Sequence, residues 1–268
     1  MYVHILIEAF IQITIAMKVL KMFDIGTVMI TGTNRGIGLE LVKYFSGQNK
    51  LTKVIACSRR LSPELEKLVN GENVFHVELE VTSVESVQKA FTKVSEIVGD
   101  GGINLLINNV GMKASNDVGT LGVSEKDLNN SFHINVTGSH TVTRFFYPLL
   151  KTAAAANSSM PPCAARGAII NVSSQLASIA NANDTYTVAY RVSKAALNML
   201  TKCTAIDVIK DGVLCVAIHP GWVATDMGGG AAPLSTSDAV VDIAGMIEKC
   251  SVEHNGLLIR SGMEVIPY

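Results

Sequence analysis

The 268-residue sequence carries little charge. Lys, Arg, Asp and Glu make up 17% of it, against about 25% in an average soluble domain, while apolar residues reach 48%. Intrinsic disorder needs few apolar residues and a high net charge, so it is excluded. Neither sign is in excess: 22 basic against 23 acidic residues leave a formal net charge of −1. A protein that grips nucleic acid by its phosphates is normally basic, and no nucleic-acid partner is expected. Cysteine is sparse. The five (Cys57, Cys163, Cys203, Cys215 and Cys250) are odd in number and show no CxxC spacing. That fits neither a disulfide framework nor a zinc site, and a reducing, cytoplasmic compartment is the simplest expectation. The histidines are scattered without ligand spacing, so no metal is expected. Repeats at the roughly 20–50-residue periods of solenoids are also missing.

A long uninterrupted apolar run is absent too. A membrane span needs about 20 such residues, and residues 1–21, which come nearest, are broken by Glu8, Gln12 and Lys18. They lack the basic start and small-residue cleavage site of a signal peptide. His4, Glu8, Gln12, Thr14, Lys18 and Lys21 fall within half of a helical wheel, as in an amphipathic helix. The alternation Ile11, Ile13, Ile15, Met17 fits a strand, and periodicity leaves both readings open. Residues 1–21 are therefore expected to be a hydrophobic extension. They are either dispensable, packed against the body or a partner, or membrane-associated, and a chain starting at Met22 should still fold.

From residue 22 to residue 268 the pattern is that of one α/β domain. Thr27–Thr31, Lys53–Cys57, Val74–Val81, Ile103–Ile107, Ala168–Val172, Val213–Ile218 and Leu257–Ile259 read as strands. Between them lie helical stripes: Ile37, Leu41 and Phe45; Val84, Val87, Phe91, Val94 and Val98; Val240, Ile243 and Ile247. Thr82 with Glu85 has the spacing of a capping box. Ser124 opens a long helical stretch, Tyr190 to Ile209 forms another, Ser237 leads the last, and Thr152 to Gly167 reads as a loop. Strands alternating with helices imply a doubly wound parallel sheet with helices on both faces.

Chemistry appears first in Gly32-Thr33-Asn34-Arg35-Gly36-Ile37-Gly38, between the first strand and the first helix. Glycines there let the backbone approach a ligand, and a helix N-terminus offers free N–H groups to a pyrophosphate. At the end of the second strand an NAD-binding fold usually carries an acid for the ribose 2′-hydroxyl. Here the slot holds Ser58, followed by Arg59. The missing acid, with Arg59 and Arg35 able to meet a 2′-phosphate, favours NADP(H). Tyr190 and Lys194, four apart, project from one helical face. Alone that pair means little. Its weight comes from Ser173-Ser174, which place hydroxyls at the C-terminal edge of a parallel strand, where ligands bind.

Taken together, the loop Thr31–Gly38, Asn108-Asn109-Val110-Gly111, Asn135-Val136-Thr137-Gly138, Ser173-Ser174, Tyr190-xxx-Lys194 and Pro220-Gly221-Trp222-Val223-Ala224-Thr225 resemble the short-chain dehydrogenases/reductases. The likeness is strongest to the sniffer and C-factor-like carbonyl reductases. It implies a Rossmann sheet and an NADPH-dependent oxidoreductase that reduces a small-molecule carbonyl (aldehyde, ketone or quinone) and pairs as a homodimer. By the same resemblance Tyr190 is the catalytic acid/base, Lys194 its activator and ribose ligand, Ser174 the carbonyl-orienting hydroxyl, and Asn135 the fourth member, distorting its helix and holding a water. Cofactor contacts fall to Gly32, Asn34, Arg35, Gly36, Ile37, Gly38, Ser58, Arg59, Val81, Asn109, Gly111, Pro220, Gly221, Val223 and Thr225, besides Tyr190 and Lys194. A free phenol titrates near pH 10, and a neighbouring ammonium with an oxidised nicotinamide would draw Tyr190 downward. Glu80-Val81 and Val110 depart from the family's usual residues, and Ser174 and Tyr190 lie farther apart than usual, which leaves a longer loop beside the substrate. Two alternatives stand beside the reductase: a dinucleotide-binding signalling protein that keeps the fold, and a dehydrogenase working oxidatively.

Overall fold

Alternation along each strand decides which face a residue meets. In β1 (Thr27–Thr31), Val28 and Ile30 turn to one side of the sheet and Met29 to the other, all completely buried. Burial on both faces marks a parallel strand covered by helices on either side. The computed structural model describes residues 25–48, 52–114 and 119–268. The expected extension, residues 1–21, lies outside the described residues.

β1 sits between β2 (Lys53–Ser58) and β4 (Leu105–Asn108). With β3 (Val74–Glu78), β5 (Ala168–Val172), β6 (Leu214–Ile218), β7 (Leu258–Arg260) and β8 (Glu264–Ile266) the order is 3-2-1-4-5-6-7-8. All are parallel except β8, which closes the edge antiparallel to β7. Helices α1 (Gly36–Gln48), α2 (Pro63–Glu66) and α7 (Thr236–Lys249) cover the face holding Val28 and Ile30. Helices α3 (Val84–Val98), α5 (Ser139–Ala156) and α6 (Val188–Val208) cover the face holding Met29. Each fully buried Leu, Ile or Phe contributes about 1.5–3 kcal/mol. Strand order reverses between β1 and β4, and the crevice beyond such a switch point is where doubly wound sheets bind ligands.

Several boundaries differ from those expected, each for a visible reason. β3 stops at Glu78 because β2 ends at Ser58, whose carbonyl takes the last N–H, that of Leu79. Thr82 forms no capping box: its hydroxyl donates to Glu80, and Ser83 caps α3 by accepting from the Ser86 N–H. Thr152 to Ala156 is not loop but the end of α5, since alanines propagate a helix well and Asn157 closes it on the Ala153 carbonyl. Ser235, not Ser237, caps α7, with Asp238 bonding back to it. Between α4 (Glu125–Phe132) and α5 the helix widens into a π segment, His133–Gly138, centred on Asn135.

Candidate active site

Backbone builds the first half of the site. The N–H groups of Gly32 and Thr33 both donate to the Cys57 carbonyl, at 2.8 and 3.2 Å, which pins the loop after β1 to the end of β2. A Cβ on Gly38 would lie 2.2 Å from the Gly32 carbonyl oxygen, so only glycine lets α1 begin this close under the loop. Asn109 reaches beneath it: its Nδ2 donates to the carbonyls of Thr31 (2.9 Å) and Gly32 (3.3 Å). Its amide is therefore engaged with the loop, and its backbone N–H bonds the Thr31 hydroxyl. Asn34 ties the loop outward. Its side-chain oxygen accepts from the Ser62 N–H and its carbonyl from the Ser62 hydroxyl, at 3.2 and 3.0 Å. The two loops that carry Arg35 and Arg59 are thereby joined. Ile37 packs on the core beneath.

Ser58 is buried, and its hydroxyl is engaged with the Arg60 carbonyl (2.8 Å) and with His76 Nε2 (2.9 Å). It fills the acid slot with its hydroxyl already engaged. Arg59 is exposed and stands 3.6 Å from Glu80 Oε2, while Arg35, also exposed, pairs with Asp226. The other Glu80 oxygen accepts from the Thr82 N–H and hydroxyl. Val81 is buried against Gly138, where an added Cβ would come within 2.8 Å of a Val81 methyl.

Side chains build the second half. Tyr190 and Lys194 share α6, and Ser174 follows β5. Ser174 accepts from the Leu176 N–H at 3.1 Å and bonds Tyr190. Burial pushes the Tyr190 phenol up to about 12, outweighing that bond, which lowers it. Lys194 is itself buried, stands 5.7 Å from the centre of the Tyr190 ring, donates to the Val172 carbonyl at 2.7 Å, and has its ammonium lowered to about 8 by desolvation. Asn135 Oδ1 accepts from the Met112 N–H (2.7 Å), and Nδ2 donates to the Met112 carbonyl (2.9 Å) and the Ser193 hydroxyl (2.8 Å). The strap Gly111–Met112 is thereby fixed beside α6, and a Cβ on Gly111 would lie 3.4 Å from Lys194 Nζ.

Beyond β6 the chain turns at Pro220-Gly221, where φ at Gly221 is +85° and a Cβ would meet Leu234 at 2.4 Å. Val223 is buried and bridges to Leu234. The Thr225 hydroxyl accepts from the Gly228 N–H, and its methyl stands 3.3 Å from where a Gly36 Cβ would be. Trp222 does not cap the core; it is 54% exposed, with its indole N–H on the Gly228 carbonyl. Gly228 itself is locked, since a Cβ would sit 2.0 Å from the Val223 oxygen. A cavity of about 470 Å³ opens between these loops, lined by Arg35, Gly111, Met112, Lys113, Tyr186 and Met227 among others.

The structure thus brings Ser174, Tyr190, Lys194, Asn135 and Gly111 together around one end of the crevice, and the glycine loop, Ser58 and Arg59 around the other, while Thr225 reaches Gly36 from the turn beyond β6. Sequence reasoning missed Met112 and Ser193 as the partners of Asn135, Asp226 as that of Arg35, and His76 as that of Ser58. It also missed Ser62, although Ser62-Pro63 has the form of a helix cap followed by a first-turn proline. Among the described residues no cluster of His, Cys, Asp or Glu is placed to hold a metal, and no helix is long and apolar enough to cross a membrane.

Comparison with known proteins accords with this geometry. Residues 26–233 match the family model for short chain dehydrogenase. Over 157 residues the chain is 36% identical to the C-signal protein of Myxococcus xanthus, covering 58% of this chain and 87% of that one. Among solved structures, the carbonyl reductase Sniffer of D. melanogaster superposes with a TM-score of 0.87 at 33% identity, over 91% of this chain and all (100%) of its own. The NADPH-bound carbonyl reductase from chicken fatty liver gives 0.84 at 32% identity, over 91% of this chain and 99% of that one.

Proposed function

The chain is an oxidoreductase that belongs to the short-chain dehydrogenase family, and on that premise we propose that it is an NADPH-dependent carbonyl reductase, taking an aldehyde, ketone or quinone to the alcohol. The observation that carries this is the convergence of three groups: Tyr190 and Lys194, one turn apart on α6 with the ammonium 5.7 Å from the centre of the phenol ring, and Ser174 just after β5.

The cradle fits a dinucleotide. Gly38 lets α1 start directly under the Gly32 carbonyl and Gly36 lets the loop close on Thr225, α1 points its N-terminus at the loop, and the two joined loops carry the cations Arg35, Arg59 and Arg60. Gly32 to Gly38, Val81 and Gly111 would take the adenosine and pyrophosphate, Arg59 and Arg35 the 2′-phosphate, Lys194 the ribose, and Val223 with Thr225 the nicotinamide amide. When bound, NADPH supplies the hydride.

The chain's own residues handle the proton. Tyr190 stays protonated through the neutral range because burial holds its phenol near 12, so it is poised as donor to the carbonyl oxygen. Ser174 would donate a hydrogen bond to that same oxygen and orient it. Asn135 holds the Gly111–Met112 strap in place and thereby shapes the wall beside the reacting carbon. The exposed apolar stripe Val192, Met199 and Ile206 along α6 supports pairing with a second copy.

Loss of NADPH absorbance with a panel of aldehydes, ketones and quinones tests the reading. Turnover of at least one class, abolished by Tyr190→Phe, is expected. Tight NADPH binding with no turnover of any of them would favour the non-enzymatic alternative.

A further inference from the structure

The substrate end of the crevice carries a cation that the proposed chemistry does not use. Lys113 follows directly on the strap that Asn135 pins, so its backbone is set by the same bonds that fix Met112. Its side chain is half-buried, with the ammonium 5.9 Å from the centre of the Tyr186 ring, which reaches over from the long loop before α6. The rest of the lining mixes uncharged side chains, Met112, Ala114, Thr187 and Met227, with the exposed pair Arg35 and Asp226, which bond each other. Among the described residues no carboxylate forms an ion pair with Lys113, and its contact is with the face of an aromatic ring.

A lysine in such a place is informative. Ammonium groups normally reach for water or an acid, and an apolar pocket with one fixed charge is the usual way a small-molecule site sets orientation and specificity. A ring face holds a cation without neutralising it, so the charge remains available to a ligand. On the reductase reading the carbonyl lies at Ser174 and Tyr190; Gly111, which lines the same cavity as Lys113, stands beside Lys194 of that group, two residues before Lys113 on the strap.

Resting on the reductase reading above, we propose that the substrate is an acidic carbonyl compound, an aldehyde or ketone on an apolar body that also bears a carboxylate, and that Lys113 binds the carboxylate while Tyr190 serves the carbonyl.

The test uses the full chain with saturating NADPH and benzaldehydes carrying a carboxylate directly or through one or two methylenes, each paired with its methyl ester. A hydrogen bond to a charged partner discriminates by about 10- to 100-fold. At one or more chain lengths the acid should therefore exceed its ester in kcat/KM by about tenfold or more, mostly through KM, and the advantage should shrink as salt is raised. Lys113→Met should bring the acid-to-ester ratio to about one, Lys113→Arg should keep most of it, and Lys113→Glu should invert it. Esters reduced as well as acids at every length, or a ratio unmoved by Lys113→Met, would overturn this assignment and leave the reductase standing. No reduction of any of these aldehydes, or of the matching aryl methyl ketones, would overturn this assignment, and refusal of quinones as well would overturn the reductase reading with it.

Discussion

At the glycine loop, position is set by main chain against main chain. Gly32 and Thr33 hang on the Cys57 carbonyl, Gly38 meets the Gly32 oxygen, and even the Asn109 side chain grips two backbone carbonyls. Around Tyr190 and the strap after β4, individual side chains do the work: Asn135 on Met112, Lys113 over Tyr186, Trp222 on Gly228, and Arg191 on Asp184. Thr187, which joins the exposed stretch 179–186 to α6, even sits at φ +57°, a left-handed conformation unusual for a β-branched residue. A backbone cradle suits a ligand that never changes, whereas a wall of side chains can be altered one residue at a time without disturbing the sheet.

The sharpest contrast should appear at the reacting end. Tyr190→Phe removes one hydroxyl and should lower turnover by about 10²–10⁴-fold, the usual worth of a general acid, with NADPH affinity changed no more than a few-fold in a fluorescence titration. Tyr186→Phe keeps the ring under Lys113 and should cost far less. Equal losses from the two would erase the distinction between a reacting residue and a lining one.

The cradle should break differently. Gly38→Ala forces backbone apart and should destabilise the fold by about 1–3 kcal/mol, as overpacking does, and it should weaken cofactor binding more than turnover at saturation. Gly230→Ala, where a Cβ meets nothing within 4 Å, should stay within about 0.5 kcal/mol of the parent by urea unfolding. A harmless Gly38→Ala would show that the loop is not backbone-limited.

Cofactor choice lies between these extremes. One effective arginine gives roughly a 10- to 100-fold preference for NADPH over NADH, and because Arg59 is exposed and shares Glu80 the lower figure is expected. Ser58→Asp combined with Arg59→Leu should reverse the order when both cofactors are titrated. A double variant that still prefers NADPH would place the selection on Arg35.

The gentlest effect is on pH. Burial holds Lys194 near 8, so the ammonium present below that value is lost above it, in a range where a solvated lysine would still be charged. The reductive kcat/KM should therefore hold up to about pH 8 and decline beyond, well before Tyr190, near 12, gives up its proton. A profile flat to pH 10 would separate the lysine charge from the reaction.

Local rules made the cradle legible. β-Branched runs marked the strands, and the glycines, the Tyr190–Lys194 step and Ser174 beyond a strand could be placed before any contact was known. What escaped was whatever depends on meeting a distant partner. Ser58 could be located in its slot but not seen bonding His76 across to β3, and the upward effect of burial on Tyr190 is something spacing does not report. Edge strand β8 went unnoticed because only Ile266 of its three residues is buried, so it shows no apolar run, and the lining of the cavity beside Lys113 because side-chain direction on loops follows from packing rather than pattern.

The π segment at His133–Gly138 has a consequence for how this chain can vary in length. It lets one extra residue pass between α4 and α5, and a single residue in a helix amounts to a rotation of about 100°. Val142, Phe146 and Leu150, all completely buried against the sheet, keep their heading only if that extra residue is retained. A one-residue deletion there would swing the stripe toward solvent while also dissolving the bulge that presents Asn135. Substitutions along α5 can be absorbed singly, but the count of residues from Asn135 to Val142 cannot. Insertions and deletions should accumulate instead in the exposed stretch before α6, where length alters the pocket and leaves the core untouched.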